Sequence, residues 1–114
     1  MALTIASREL DGVTILDLSG RITLGEGSVQ IRDAIRGLIG KGQKNILLNL
    51  EDVSYIDSSG LGELVSAFAT ARTQNAKLKL LKLTKKVHDL LQLTKLYTVF
   101  DIFDDEASAI ASFK

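Results

Sequence analysis

An apolar run and an amphipathic segment meet at two adjacent serines, and this junction constrains the fold more than any other feature. The apolar run, Asn45–Leu50, has the length of a buried strand, and apolar residues recur at helical spacing beyond the serines. Ser58 and Ser59 lie between them, so we expect a helix to begin there. A helix N-terminus has unpaired N–H groups and a positive dipole end, so it favours a carboxylate or a phosphate.

Strand and helix patterns alternate along the chain, which has no proline, so glycines and capping residues separate its elements. Asp11-Gly12 is a turn signal for an antiparallel hairpin, and Gly40-Lys41-Gly42 ends the first helical pattern. The predicted strands are Leu3–Arg8, Val13–Ser19, Asn45–Asn49, Leu78–Leu81 and Val99–Ile102. The predicted helices are one with Ile31, Ala34, Ile35, Leu38 and Ile39 on its inner face, one over about Ser59–Asn75, one capped by Thr84, and one opened by Asp104 or Asp105.

Alternating strands and helices imply parallel strands joined by right-handed crossovers. The predicted fold is therefore a single α/β domain over residues 1–114, with a mostly parallel sheet of four to five strands, an N-terminal antiparallel hairpin and four helices. The fourth strand is flanked by Lys77, Lys79 and Lys82. We expect these charges to keep one face or an edge of the strand exposed to solvent. Ligands and partners of such folds bind the loops beyond the carboxyl ends of strands, where Asp57–Gly62 is expected.

Composition excludes several classes of function. The 114 residues supply one core, and 14 basic against 14 acidic side chains give no field to attract nucleic acid. The chain has no cysteine, which excludes disulfides, thiol catalysis and cysteine-based metal sites. No signal segment appears and no apolar run approaches about 18 residues, so we expect no direct membrane insertion and a cytoplasmic location.

The chain resembles the STAS family, and within it the stand-alone bacterial anti-sigma factor antagonists. The resemblance rests on Leu48-Asn49-Leu50 and on Val53-Ser54-Tyr55-Ile56-Asp57-Ser58-Ser59-Gly60-Leu61-Gly62. It extends over nearly the whole chain, because Leu18-Ser19-Gly20-Arg21-Ile22 matches the exit of the family's second strand and Leu91–Phe100 its variable helix-to-strand passage. Each piece alone is weak, whereas the combination is specific.

The resemblance implies a partner-switching cycle. The unmodified protein would bind an anti-sigma factor that is also a serine kinase, which would free the sigma factor held by that kinase. The kinase would then phosphorylate the protein with ATP, and a metal-dependent serine phosphatase would restore it. By residue matching, Ser58 would take the phosphate and Ser59 would cap the helix. The chain would then be a kinase substrate and not an enzyme, without a cofactor or metal of its own.

The expected contact surface for the partner surrounds the two serines. It comprises Asp57, Ser58, Ser59, Gly60, Gly62 and Glu63, bordered by the loop that holds Thr23 and Glu26. Gly20-Arg21-Ile22-Thr23 departs from the family's Gly-Glu-Leu followed by an acidic residue, which leaves the partner's identity open. Simpler roles exist, because the serines can be plain helix caps and the glycines can permit close packing, while Thr23 and Glu26 can be turn and helix-start residues.

Two other functions stay open from the sequence, and self-association is undetermined. The chain could be a STAS subunit of a membrane transport or stress-sensing assembly that docks constitutively through the same surface. It could also be a nucleotide-binding domain, although Gly37–Gly42 lacks the first glycine and the Ser or Thr of a phosphate loop. Gly25-Glu26-Gly27 likewise lacks the third glycine of a dinucleotide fingerprint.

The remaining chemistry-bearing residues have structural explanations. The single histidine, His88, is expected on a solvated helix face, so a serine hydrolase has no base. The acidic cluster of Asp101, Asp104, Asp105 and Glu106 could hold a cation but more simply ends a strand and starts a helix. We expect a wet surface at Lys82, Lys85 and Lys86, and a core under the last helix at Phe100, Phe103 and Phe113.

Overall fold

The computed structural model describes residues 3–114 and contains one sheet whose strands follow chain order. The strands are β1 (Thr4–Leu10), β2 (Val13–Ile22), β3 (Asn45–Ile56), β4 (Lys77–Leu81) and β5 (Ile102–Phe103). The helices are α1 (Glu26–Gly40), α2 (Ser58–Thr73), α3 (Lys85–Leu93) and α4 (Glu106–Ala111). The β1 and β2 strands pair antiparallel and the remaining pairs are parallel, which confirms the predicted α/β class and element order.

The helices lie on the two faces of the sheet in unequal numbers. One core cluster joins α1, α2 and α3 to one face, with Leu48, Leu64 and Leu80 fully buried within it. The other face is covered by α4, whose Ile110 packs with Phe113 over Leu47. This arrangement leaves the ends of β2 and β3 free to meet the N-terminus of α2.

The third strand is longer than the predicted Asn45–Asn49, because it runs on to Ile56. Glu51 and Asp52 are exposed, as their charges require, while Val53 and Ile56 stay in the core. Two register shifts between β2 and β3, each with one extra residue in β3, let the two strands remain paired along this extension. The acidic stretch is therefore strand, and it delivers the chain directly to Asp57.

The last strand is shorter than predicted and lies further along the chain. The prediction covered Val99–Ile102, whereas only Ile102–Phe103 pair with β4. Phe100 is buried, and its ring packs edge-on against Phe68 of α2 at 5.3 Å between centroids. This contact holds the chain at Phe100 against α2, so the chain joins the sheet only at Ile102, two residues after Phe100.

Two predictions about side chains of this region need correction. Lys79 is 9% exposed and not wet, because its Nζ donates to the Ser112 carbonyl at 3.0 Å and to the Ser112 hydroxyl oxygen at 2.9 Å. Its ammonium also lies 4.7 Å from the centroid of the Phe113 ring. Phe113 fills the core beside α4 as predicted, whereas Phe100 belongs to the core on the opposite face.

Candidate functional site

The loop between β3 and α2 is organised by one carboxylate. Asp57 has extended backbone geometry at the N-cap of α2, and its Oδ1 accepts from the Gly60 N–H at 2.7 Å. The cap therefore does not use a serine, and the prediction that Ser59 caps the helix is wrong. Aspartate performs this role as well as serine, because both place an oxygen within reach of the first free N–H groups. Ser58 and Ser59 become the first two helical residues, and both are exposed.

The same carboxylate joins two loops. Asp57 Oδ2 accepts from the Leu24 N–H at 3.3 Å, and the Asp57 N–H donates to the Ile22 carbonyl at 3.2 Å. Ser28, which is buried in the first turn of α1, donates from its hydroxyl to the Thr23 carbonyl at 2.9 Å. The loop between β2 and α1, which contains Thr23 and Glu26, is thus held beside the serine loop.

The glycines of the site have different surroundings. A Cβ on Gly60 would lie 2.2 Å from the Ile22 carbonyl oxygen, so only glycine permits this approach of α2 to β2. A Cβ on Gly62 would meet nothing within 4 Å. Close packing therefore explains Gly60 but not Gly62, which is exposed on the outer side of α2.

The sequence-predicted site residues form one continuous region with differing exposure. Ser58, Ser59, Gly62 and Glu26 are exposed, Asp57, Thr23 and Glu63 are half-buried, and Gly60 is buried. Leu24, between Thr23 and Glu26, is 76% exposed. We define the serine face as Leu24, Ser58, Ser59 and Gly62, because these residues are the outward-facing part of the two joined loops.

A cleft of about 420 Å³ adjoins the serine face on the side of α3. Its lining includes Tyr55 and Ser58 from one wall and Lys86, Leu90 and Leu93 of α3 from the other. Leu93 is 81% exposed. We call this feature the Ser58 cleft, and its lining of apolar, aromatic and charged groups suits a protein or phosphate contact.

The charges around the Ser58 cleft are partly paired. Asp89 also lines the cleft, and a hydrogen bond from Lys85 at 3.1 Å holds the pKa of its carboxyl below the ordinary value. Lys86 Nζ lies 5.8 Å from the centroid of the Tyr55 ring, and the Arg21 guanidinium lies 5.0 Å from the same centroid. Tyr55 therefore lies near two cations, of which Lys86 lines the Ser58 cleft and Arg21 does not.

The other sequence candidates lie in different structural settings. His88 is half-buried, and its ring contacts Tyr97 edge-on at 4.9 Å between centroids. Asp105 caps α4 through the Ser108 N–H at 2.8 Å, and that hydrogen bond lowers the pKa of its carboxyl. Glu106 pairs with Arg8. Within residues 3–114 no three such side chains are arranged to hold a metal ion.

A family model for the STAS domain matches residues 4–109. The chain belongs to the STAS family. An anti-sigma F factor antagonist from Paenibacillus polymyxa is 27% identical over 113 residues, which are 96% of this chain and 94% of that protein. An anti-sigma-B factor antagonist from Bacillus subtilis is 32% identical over 87 residues, or 76% of this chain and 78% of that protein.

Solved STAS structures share the fold along almost the whole chain. A candidate anti-sigma factor antagonist from Thermotoga maritima has a TM-score of 0.86 and 26% identity, and the match covers 95% of this chain and 92% of that one. The arrangement of strands and helices described above is thus the STAS arrangement. None of the helices within residues 3–114 is long and apolar enough to span a membrane.

Several residues of this STAS site were missed by sequence reasoning. Leu24 and Leu93 are the most exposed large apolar side chains in the described range, and both border the serine loop. Leu93 could have been flagged, because it stands among polar residues at the end of a short helix. The placement of Lys86 in the Ser58 cleft depends on how α3 packs against β3, and no local pattern of residues predicts that packing.

Proposed function

We propose that this STAS protein is an anti-sigma factor antagonist whose serine face binds an anti-sigma factor serine kinase. In this proposal the unmodified protein binds the kinase and displaces the sigma factor. The kinase then transfers the γ-phosphoryl group of ATP to the Ser58 hydroxyl, and a serine phosphatase hydrolyses the ester. The protein is a substrate and a binding module, not a catalyst. Because the cycle consumes ATP, it belongs to the cytoplasm.

The observation that carries the proposal is the exposure of Ser58 beside a structure that does not depend on it. The hydroxyl is outside the cap, because Asp57 makes the hydrogen bond to Gly60. A kinase can therefore reach Ser58 and a phosphate can be added without loss of the cap. The names of the curated relatives, which are anti-sigma factor antagonists, support the choice of partner.

The transfer step balances as a simple displacement. The bond between the Ser58 Oγ and the γ-phosphorus forms, the bond from that phosphorus to the β-phosphate oxygen breaks, and ADP leaves. The hydroxyl proton passes to a base of the kinase, since within residues 3–114 no histidine lines the Ser58 cleft. Hydrolysis by the phosphatase reverses the modification, because water replaces the serine oxygen on phosphorus.

The magnitude of the charge change suffices for a switch. Phosphoserine carries about 1.5 to 2 negative charges near neutral pH. A partner carboxylate about 6 Å away would be opposed by roughly 3 kcal/mol per unit-charge pair at an effective dielectric constant near 20. A loss of about 2.5 kcal/mol weakens binding nearly a hundredfold. The phosphate itself is tolerated by the fold, since it lies at the positive end of the α2 dipole.

The test uses four variants of the two neighbouring serines. Each candidate anti-sigma kinase of the host is titrated with Ser58→Asp, Ser58→Ala, Ser59→Asp and Ser59→Ala proteins. We expect Ser58→Asp to bind at least tenfold more weakly than Ser58→Ala, and the Ser59 pair to differ much less. Ser59 is the matched control, because it is also exposed and lies one residue further along α2.

A second measurement locates the phosphate. The protein is incubated with kinase and ATP, and the modified peptide is identified by mass spectrometry. Phosphate on Ser58, lost again on treatment with the phosphatase, supports the cycle. Phosphate on Ser59, Thr84 or Ser108 with none on Ser58 contradicts the assigned acceptor. If no candidate kinase binds while a transporter subunit copurifies, the proposed partner is wrong.

A further inference from the structure

The Ser58 cleft contains a cation with no close anionic partner in the described range. Lys86 is exposed on α3, and its Nζ lies 5.8 Å from the centroid of the Tyr55 ring, near the outer limit of about 6 Å for a cation–aromatic contact. We propose that Lys86 receives the phosphoryl group of phosphorylated Ser58 and thereby ties α2 to α3. This inference rests on the proposed function, because it concerns the modified form of the same site.

The position of Lys86 is unfavourable for helix stability alone. It is the second residue of α3, where the positive end of the helix dipole disfavours a cation. The preceding Lys85 is also a cation at this end of α3, but its ion pair with Asp89 one turn later offsets the unfavourable interaction with the dipole. Lys86 has no ion pair within 4.0 Å among residues 3–114, so its charge is available for an incoming anion.

The other charged groups of the cleft are already engaged. Both Asp57 oxygens accept backbone N–H groups, from Gly60 and from Leu24. Asp89 is held by Lys85. A phosphate on Ser58 would therefore meet two nearby carboxylates, and it needs a cation. Lys86 lines the same cleft as Ser58 and has a long flexible stem that allows its ammonium to leave the Tyr55 ring.

Arg21 is the alternative receptor, and the geometry favours Lys86 over it. The guanidinium of Arg21 lies closer to the Tyr55 ring, at 5.0 Å from its centroid. Arg21 and Tyr55 are also partners in the register of β2 and β3, so this stacking is built into the sheet. Arg21 does not line the Ser58 cleft, whereas Lys86 does.

Capture of the phosphate by Lys86 has a consequence for the surface. The ammonium would move from the Tyr55 ring toward Ser58, and the Ser58 cleft would narrow between α2 and α3. The modified protein would then differ from the unmodified one in shape as well as in charge. A partner that inserts a side chain into the cleft would be excluded by both changes.

The test uses phosphoserine installed at position 58 during translation, so it needs no kinase. Phosphorus NMR then follows the second ionisation of the phosphate in the natural sequence and in Lys86→Gln, Lys86→Arg and Lys41→Gln variants. A cation about 6 Å away in a wet site lowers that pKa by about half a unit. We therefore expect Lys86→Gln to raise the phosphoserine pKa by about half a unit and Lys86→Arg to leave it unchanged.

Lys41→Gln is the matched control, since it removes the same charge from an exposed residue at the C-cap of α1, just before β3 begins at the end opposite to Ser58. Equal phosphoserine pKa values in the Lys86→Gln and Lys41→Gln proteins would overturn the proposal. The result is independent of partner identity: failure of every kinase to bind would refute the proposed function while leaving this titration readable. The unmodified Lys86→Gln protein is expected to be at least as stable as the natural one, because it removes a cation from the positive end of the α3 dipole; urea unfolding of both proteins checks that a shift in pKa does not come from misfolding.

Discussion

The α-carbon of Gly60 faces the Ile22 carbonyl so closely that an added Cβ would lie 2.2 Å from the oxygen and 2.8 Å from Ile22 Cγ2. Backbone cannot yield as a flexible side-chain tip can, so α2 would have to move away from β2. We expect Gly60→Ala to lower the free energy of unfolding by about 2 to 3 kcal/mol. Urea denaturation followed by circular dichroism measures the loss.

Gly62→Ala is the control for this prediction. It lies two residues further along the same helix, and its Cβ would meet nothing within 4 Å. Alanine is the better helix former, so we expect Gly62→Ala to raise the free energy of unfolding by about 0.5 to 1 kcal/mol. Equal effects of the two substitutions would show that α2 is not packed against Ile22 as described.

Leu24 is expected to contribute to partner binding and little to stability. Its side chain is 76% exposed on the serine face. We expect Leu24→Asp to weaken kinase binding at least tenfold, because it replaces apolar contact with a charge at a desolvated interface. Leu10→Asp is the control, since Leu10 is 45% exposed at the end of β1 beside the hairpin turn. Isothermal titration of both variants with the kinase measures the difference, and equal losses would place the interface elsewhere.

Arg8 joins the first strand to the last helix through two carboxylates. Its Nε donates to Asp17 Oδ2 at 2.7 Å, and its guanidinium also pairs with Glu106. These hydrogen bonds lower the pKa of both carboxyls. The two ion pairs therefore stabilise the fold fully at a pH above the carboxyl pKa values of the unfolded chain, which are about 4. This stabilisation is lost as the pH falls through the lower pKa values of the folded protein.

The expected effect of Arg8→Gln on stability follows from the lowered pKa values of the two carboxyls. Because the side chains are about one-third exposed, we expect a loss of about 1 kcal/mol at pH 7. The difference from the natural protein should shrink when unfolding is measured below pH 4. Arg36→Gln, an exposed change on α1, should have little effect at either pH. A difference for Arg8→Gln that is constant with pH would contradict the ionic mechanism.

Lys79 is expected to stabilise the attachment of the C-terminal residues. Its ammonium donates twice to Ser112 and lies against the Phe113 ring. We expect Lys79→Ala to lower the free energy of unfolding by about 2 kcal/mol, because buried hydrogen bonds from a charged donor are lost. Lys77→Ala, at an exposed position of the same strand, should cost far less. Thermal unfolding of the two variants compares them, and similar midpoints would disprove the role.

The sequence predicted the fold well because its signals were local. Hydrophobic period, glycine breaks and capping residues act over a few positions, and they predicted the order of the nine elements found within residues 3–114. Lys79 was misjudged, since the charge of a lysine favours solvent unless a distant partner receives it. That partner, Ser112, lies 33 residues away, and only the packing of the C-terminal residues on β4 reveals it.

The candidate site was predictable only in part. The run from Asp57 to Glu63 is contiguous, so its residues were identified together. Which of Asp57, Ser58 or Ser59 caps α2 was not decidable, because all three residue types serve as caps. The α3 wall of the Ser58 cleft depends on long-range packing. From the sequence, Lys86 was therefore expected only to be a solvent-exposed surface residue.

The strands of the sheet stand side by side in the same order in which the ribosome makes them. A nascent chain can therefore add each strand to the edge of those already present, and no later segment has to be inserted between earlier ones. Such neighbour-by-neighbour growth needs shorter loop closures than the insertion of a late strand between early ones would need. The contacts of α4 form last, because the bond between Arg8 and Glu106 spans 98 positions and Ile110 packs in the same cluster as Val13 and Ile15.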